Sequence, residues 1–544
     1  MEFKYVRLRY TENGEEFSFT IPGGTVQTEN VSLKVTQKGN CISVRVRAED
    51  EIVMQELSAV YEHLFNESDR IFLNGYQSWT ESTEHRVSEK MRGLRHIPAQ
   101  LRSKYALTQY GDYNFADYDT EAGVLHGWTY GYIRDYTQFR LFGSLNEQTG
   151  FTCWQTDTVH GTVTAGKDCA GLHLTGDLRM ELFTDEGAEQ DVFDAYFDAQ
   201  HLPPRKAEPI FGFNSRYRRF QNISANTVTA DLDSLSEQEY KADAFQIDDG
   251  WQDRVGDWLT PDPEKFPDGM QPVCAQIRDA GYLPGIWLAP FACEEQSEIV
   301  RMHADWLLKD ENGDYVRGGS DWGGFYVLDF CLPEVQEHLR QVLDTIVNRW
   351  GFGLLKLDFL YAACILPRAD KTRGQIMAEA MKFLRENAGD AWIIAGAVPL
   401  GAAFGNVDYC RIGCDITLDW DDKLPMRLLH RERASTRHAL LNAVFRRQLN
   451  GRAFLNDTDA FILSPDSSAM TTPQRQCLAE ISALTGGILF TSDNGADYTE
   501  NQRKMFRRMM RMQQAEVLSA EASDDSLRIS FRFGEKEYTM HYAL

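Results

Sequence analysis

Gly353-Leu354-Leu355-Lys356-Leu357-Asp358-Phe359 reads as a buried β-strand that ends on a carboxylate. Apolar residues dominate it, and Gly351 and Gly353 punctuate its start. A strand alternates faces with period two, so Lys356 and Asp358 point one way and Leu355 and Leu357 the other. A lysine and an aspartate side by side on a buried strand are costly unless they are paired or used. A structural ion pair accounts for this stretch as well as a functional site does. The rest of the chain decides between them.

Seven more strand candidates surround this one: Phe211 to Tyr217, Ala244 to Asp249, Leu283 to Pro290, Trp392 to Val398, Val407 to Asp415, Ala453 to Asp459 and Gly487 to Asp493. Helical patterns lie between most of them, as in Pro333 to Trp350, Arg373 to Ala388 and Arg431 to Leu449. Eight βα units between residues 201 and 515 predict a (β/α)8 TIM barrel of the α/β class. A doubly wound sheet is the alternative, but neither GxGxxG nor a Walker loop follows the first strand. The strands end on polar groups: Asp248-Asp249, Trp287, Lys356 and Asp358, Arg411 and Asp415, Asn456-Asp457 and Asp459, Ser492-Asp493. In a barrel all such ends meet at one mouth, and a purely structural barrel needs no charge at most of them.

Residues 1 to 200 read as an N-terminal β-sandwich. Short alternating runs such as Val31-Ser32-Leu33-Lys34-Val35 and Ile42-Ser43-Val44-Arg45-Val46 are separated by turn residues. Leu73-Asn74-Gly75-Tyr76-Gln77-Ser78-Trp79 is an unusual loop, with two aromatics among polar residues. It either anchors into its own core or offers a stacking surface to a neighbouring domain or a sugar. His201-Leu202-Pro203-Pro204-Arg205 reads as the connector to the barrel, and residues 516 to 544 as a small C-terminal β segment containing a hairpin.

A net charge of −25 argues against nucleic acid, which needs a basic footprint, and against anionic membrane surfaces. The N-terminal stretch carries no apolar segment of signal-peptide type, and no run approaches a membrane span, so a cytoplasmic protein is expected. Ten scattered cysteines without a CxxC pair read as reduced thiols. No HExxH or HxH occurs, so no metal or other cofactor is expected; a homo-oligomer stays open.

With neither a serine elbow nor a phosphate loop, paired carboxylates point to glycoside hydrolysis on an oligosaccharide. A retaining enzyme needs a carboxylate nucleophile and a second carboxyl acting first as acid, then as base. Asp358 fits the nucleophile, with Lys356 expected to keep it ionised. Period two places Arg411, Gly413 and Asp415 on one face, which makes Asp415 the expected acid/base and Arg411 a hydroxyl binder. Asp248 and Asp249 look like a clamp for two hydroxyls.

The runs Gln246-Ile247-Asp248-Asp249-Gly250-Trp251-Gln252, Gly285-Ile286-Trp287-Leu288-Ala289-Pro290-Phe291, Leu355-Lys356-Leu357-Asp358-Phe359, Val398-Pro399-Leu400-Gly401 and Arg411-Ile412-Gly413-Cys414-Asp415 together resemble the glycoside hydrolase family 36 α-galactosidases, in their shorter bacterial form. The resemblance implies a retaining mechanism on terminal α-galactosides, with Asp358 as nucleophile and Asp415 as acid/base. It implies that Asp248 and Asp249 hold the 4- and 6-hydroxyls and that Lys356, Arg411 and Trp287 line the same subsite. It also implies that Trp79 reaches over the barrel mouth from the N-terminal domain.

Two positions depart from the family pattern. Arg216-Tyr217 stands where a Trp-Tyr pair is common, and Gly396 where a cysteine is common. A guanidinium in place of an indole changes both stacking and charge, and glycine is expected to open space near the sugar ring. These departures raise the alternative of a modified glycone, α-N-acetylgalactosamine or an anionic galactose derivative paired with Arg216. A non-catalytic sugar-binding relative is a further alternative; it would be expected to lack one of the two carboxylates, and both are present.

Overall fold

The structure is a computed structural model that describes residues 1–544 except 119, 205–206, 238–239, 422–428 and 467. The connector residue Arg205 therefore lies outside the described residues. The N-terminal part forms one 13-stranded antiparallel sheet. Its axis is Cys41–Glu62, a 22-residue strand that pairs with Glu2–Glu12, Val31–Lys38, Thr162–Lys167 and His173–Gly187. Alternation decides which face is buried: along Val31–Lys38 the residues Val31, Leu33 and Val35 point inward while Lys34 is exposed. The helix Glu189–Gln200 then packs Phe193 and Tyr196 inward, and the Tyr196 hydroxyl donates to the Ser144 carbonyl at 2.8 Å.

Beyond it, eight parallel strands close into a barrel: Ile210–Asn214, Ala244–Ile247, Leu283–Leu288, Leu354–Leu357, Trp392–Ala395, Tyr409–Arg411, Leu455–Phe461 and Ile488–Thr491. The last pairs with the first, Ile488 opposite Ile210. All eight expected strands are present, but most stop short of their functional residues. The first ends at Asn214, so Arg216-Tyr217 lie on the single helical turn Arg216–Arg219 rather than on a strand. The sixth is only Tyr409–Arg411, and Asp415 lies in the loop beyond it. Helix Thr436–Phe445 packs closely against the chain there: a Cβ on Gly413 would lie 3.1 Å from the Ala439 Cα.

An insertion after the third strand forms a three-stranded sheet from Ala292–Glu294, Arg317–Gly319 and Phe325–Val327. The C-terminal segment is a three-stranded sheet, Glu516–Ala522, Ser526–Phe533 and Lys536–Ala543, one strand more than the hairpin expected. Among the described residues no helix is long and apolar enough to cross a membrane.

Candidate active site

Polar groups at the ends of the second, third, fourth and sixth strands converge, whereas Asn456, Asp457, Asp459, Ser492 and Asp493 of the seventh and eighth do not line the cavity. Asp248, Asp249, Trp287, Lys356, Asp358 and Asp415 all line one cavity of about 510 Å³. Trp79 from the N-terminal domain and Arg216 join them. Of the remaining expected site residues, Arg411, Tyr217 and Gly396 do not line it; they stand one layer behind.

Asp358 sits one residue past the fourth strand and is 6% exposed. Its carboxylate accepts the Trp287 indole N–H at 3.2 Å and the Phe359 backbone N–H at 2.9 Å. Lys356 does not bond it. The Lys356 ammonium donates instead to Asp248 Oδ2 at 2.8 Å, across the barrel. Burial raises the Asp358 pKa, the Lys356 charge opposes this, and the Asp415 charge adds to it; the net shift is upward. The expectation that Lys356 keeps Asp358 ionised is therefore corrected: its charge favours the ionised form but does not outweigh burial. Gly396 is also corrected: a Cβ there would lie 2.6 Å from Asp358 Oδ1, so the missing side chain makes room for this carboxylate and not for a ligand.

Asp248 has the opposite balance. Burial disfavours its charge, but Lys356 and Arg216 outweigh that and hold it below the ordinary range. Asp249 accepts the Gln252 amide at 2.7 Å and, on its other oxygen, the Gln221 amide and the Trp322 indole N–H, both at 3.0 Å. Both carboxylates are fixed in place by these donors, Asp248 by Lys356 and Asp249 by Gln252, Gln221 and Trp322, with oxygens suited to accept from hydroxyls.

Arg411 is saturated by carboxylates. Its guanidinium donates to Asp415 Oδ1 at 2.7 Å, Asp457 Oδ2 at 3.1 Å and Asp459 Oδ1 at 3.0 Å, at 3% exposure. That makes it a positioning residue for Asp415, not the hydroxyl binder expected. Tyr217 stands behind it, its hydroxyl donating to Asp459. Burial, with the Asp415 charge adding, pushes Asp459 up to about 6 in spite of Arg411. Arg216 reaches into the cavity, 3.9 Å from Asp249 and 4.0 Å from Asp415.

The Asn74–Thr80 loop docks on the barrel, not only on its own core. Ser78 N–H donates to the Val398 carbonyl at 2.9 Å, and the Val398 N–H returns to Ser78 Oγ at 3.2 Å. Arg446, fully buried on the barrel side, donates to Asn74 Oδ1 at 2.8 Å and to the Ser78 carbonyl at 2.5 Å. This places the Trp79 ring 5.6 Å from that of Phe359, the residue after Asp358.

Sequence reasoning missed Asp321, Trp322, Phe220 and Gln221, which also line the cavity. They come from loops without periodicity. A signal does exist in the backbone: Phe220, Trp322 and Phe359 have φ of 49°, 54° and 52°. Each such non-glycine residue costs about 1–3 kcal/mol and persists only where the surroundings enforce it, which concentrates them at functional sites. Among the described residues no cluster of ligating side chains suits a metal ion.

Residues 223–376 match the model of the melibiase family. Alpha-galactosidase C of Emericella nidulans is 31% identical over 132 residues, which is 21% of this chain and 17% of that protein. An alpha-galactosidase of Escherichia coli is 34% identical over 121 residues, 21% of this chain and 16% of that protein. The aligned stretches thus span less than a fifth of these relatives. Likeness of fold extends much further. The alpha-galactosidase TtGalA of Thermus thermophilus, solved with p-nitrophenyl alpha-D-galactopyranoside, superimposes with a TM-score of 0.73 at 24% identity, covering 98% of both chains. The GH36 alpha-galactosidase AgaA of Geobacillus stearothermophilus gives 0.62 at 11% identity over 92% of this chain and 72% of that one.

Proposed function

We propose that this chain, which resembles the glycoside hydrolase family 36 α-galactosidases in its melibiase segment and in its fold, is a retaining exo-acting α-galactosidase that removes terminal α-linked galactose from oligosaccharides or glycoconjugates. The observation that carries the reading is the meeting of Asp358 and Asp415 in one cavity with the Asp248–Asp249 pair. In the first step Asp358 attacks the anomeric carbon while Asp415 gives a proton to the departing glycosidic oxygen. In the second, Asp415 takes a proton from water, which displaces Asp358 and releases the sugar with its configuration retained. Trp287 and the Phe359 N–H hold the Asp358 carboxylate in line, and Arg411 holds Asp415. Asp248, locked by Lys356, and Asp249 accept galactose hydroxyls.

The glycone is neutral on this reading. Five aspartates line the cavity, Asp248, Asp249, Asp321, Asp358 and Asp415, against the cations Lys356 and Arg216. Arg216 stands between Asp249 and Asp415 and has no surplus charge for an anionic sugar. Gly396 leaves no pocket for an acetamido group, because the Asp358 carboxylate fills that space.

The test is nitrophenol release from α-galactoside, α-N-acetylgalactosaminide, α-glucoside and α-galacturonide by wild type, Asp358→Ala and Asp415→Ala, with the first-formed anomer followed by NMR. Galactoside turnover with retention, abolished in Asp358→Ala, is expected. Undiminished activity of Asp358→Ala, or inversion, would sink the mechanism; preference for another glycoside would move the specificity. Arg216→Trp should leave the galactoside-to-galacturonide ratio unchanged, and a large change would return Arg216 to the glycone.

A further inference from the structure

One carboxylate in the cavity has no part in either the double displacement or the holding of the galactose hydroxyls. Asp321 lines the cavity beside Trp322. Both lie on the tight turn Asp321–Gly323, which joins two strands of the barrel insertion, Arg317–Gly319 and Phe325–Val327. The turn is pinned from two directions. On the barrel side, Trp322 donates its indole N–H to Asp249 at 3.0 Å, and its ring lies 4.9 Å from Phe359. On the N-terminal side, the Tyr110 hydroxyl donates to Asp321 Oδ2 at 2.6 Å and accepts the Ser320 backbone N–H at 2.7 Å. The Tyr110 ring is itself stacked on His430, with centroids 4.6 Å apart. Two parts of the chain distant in sequence thus cooperate to hold one carboxylate at the cavity wall.

Its position has a side. Burial raises the Asp321 pKa, the Tyr110 bond opposes this, and the charge of Asp415 adds to the rise. Asp321 and Asp415 line the same cavity, and the leaving group departs past the acid/base. A carboxylate has about four acceptor positions, and Tyr110 takes one. The remainder suit sugar hydroxyls, and an adjacent indole suits the apolar face of a pyranose.

We propose that Asp321, set by Tyr110 and flanked by the Trp322 ring, is the specificity-determining residue of a leaving-group subsite that takes a neutral sugar. It rests on the galactosidase reading of the same cavity. The subsite distinguishes substrates by the leaving group alone: a sugar aglycone meets Asp321, whereas a nitrophenol has no hydroxyls of the kind that Asp321 would accept.

The experiment compares kcat/KM for raffinose and p-nitrophenyl α-galactoside in wild type, Asp321→Asn and Tyr110→Phe. A lost hydrogen bond to a charged group is worth at least about tenfold. Asp321→Asn should lower the raffinose-to-nitrophenyl ratio by that factor, and Tyr110→Phe should move it severalfold the same way. An unchanged ratio in Asp321→Asn overturns the proposal, since a merely structural residue depresses both substrates alike. Tryptophan fluorescence with free sucrose separates this from the parent reading. Should wild type hydrolyse neither substrate, the galactosidase reading fails and sucrose decides the subsite alone. Quenching in wild type that is lost in Asp321→Asn upholds it; equal quenching, or none, overturns it.

Discussion

Arg446→Met is predicted to uncouple the N-terminal loop from the barrel mouth while leaving the barrel folded. The Arg446 guanidinium is fully buried. It donates to Asn74 Oδ1, the Ser78 carbonyl and the Ile412 carbonyl at 2.8, 2.5 and 2.9 Å, and at longer range to the Gln77 and Gly75 carbonyls at 3.2 and 3.5 Å. Four of these five acceptors lie on the loop that carries Trp79. Burial lowers the Arg446 pKa to about 10. That downward shift corresponds to about 3 kcal/mol spent on keeping the cation buried. Methionine removes this cost but strands the three closest oxygens at about 1–3 kcal/mol each. With about 6 kcal/mol as the middle of that range, the net loss is about 3 kcal/mol, concentrated at the seam between loop and barrel. An opening equilibrium shifted by that amount exchanges amide hydrogens about 10²-fold faster. Hydrogen exchange at Gly75 to Thr80 should show this while the barrel strands keep their protection. Turnover of an α-galactoside should fall by about 10²-fold, the usual cost of displacing a positioning group by an ångström. Wild-type exchange in the loop together with wild-type kcat/KM would refute the claim that this cation holds Trp79 at the site.

Asp358→Asn should abolish turnover yet raise the thermal midpoint, because burial makes the native carboxylate costly and a neutral isostere removes that cost; a lowered midpoint would contradict the upward shift. Gly396→Ala should lower kcat by about 10²-fold with KM little changed, since its Cβ would press within 2.6 Å of Asp358 Oδ1; wild-type kcat would show that the carboxylate can move aside freely. The acid limb of kcat/KM should lie above 3.8, the ordinary aspartate value, because Asp358 must be ionised and its pKa is raised. Activity is then lost as pH falls through that raised value. Trp287→Phe removes an N–H that favours the ionised form and should move the limb further up; a downward move would refute that role.

How far this site was legible depends on which geometric rule each residue obeys. Barrel closure brings strand ends together wherever they lie in sequence, so Asp248, Trp287, Lys356 and Asp358 could be gathered from spacing alone, whereas Asp415 reaches the cavity from the loop past the sixth strand. Asp321, Gln221 and Tyr110 obey no period. Their loops are placed by tertiary contacts such as the bond from Tyr110 to Asp321, which no local pattern encodes. Arg446 lies just past the helix Thr436–Phe445 beside Arg447, and nothing in the local pattern marks it as the cation that the loop encloses.

The partner of Lys356 shows why direction was easier to read than pairing. Period two rightly aims Lys356 and Asp358 into the barrel, but residues two apart on a strand are separated by roughly 6.5–7 Å along the chain. The interior of such a barrel is filled in layers to which alternate strands contribute. Lys356 on the fourth strand and Asp248 at the end of the second therefore meet in one layer, at 2.8 Å. The lysine that the local sequence assigns to the proposed nucleophile instead fixes Asp248, a carboxylate proposed to hold the substrate. Asp358 is left with weaker hydrogen bonds and a raised pKa. A carboxylate with no cation hydrogen-bonded to it is also the better nucleophile, since a tight ion pair would have to be broken as the new bond forms.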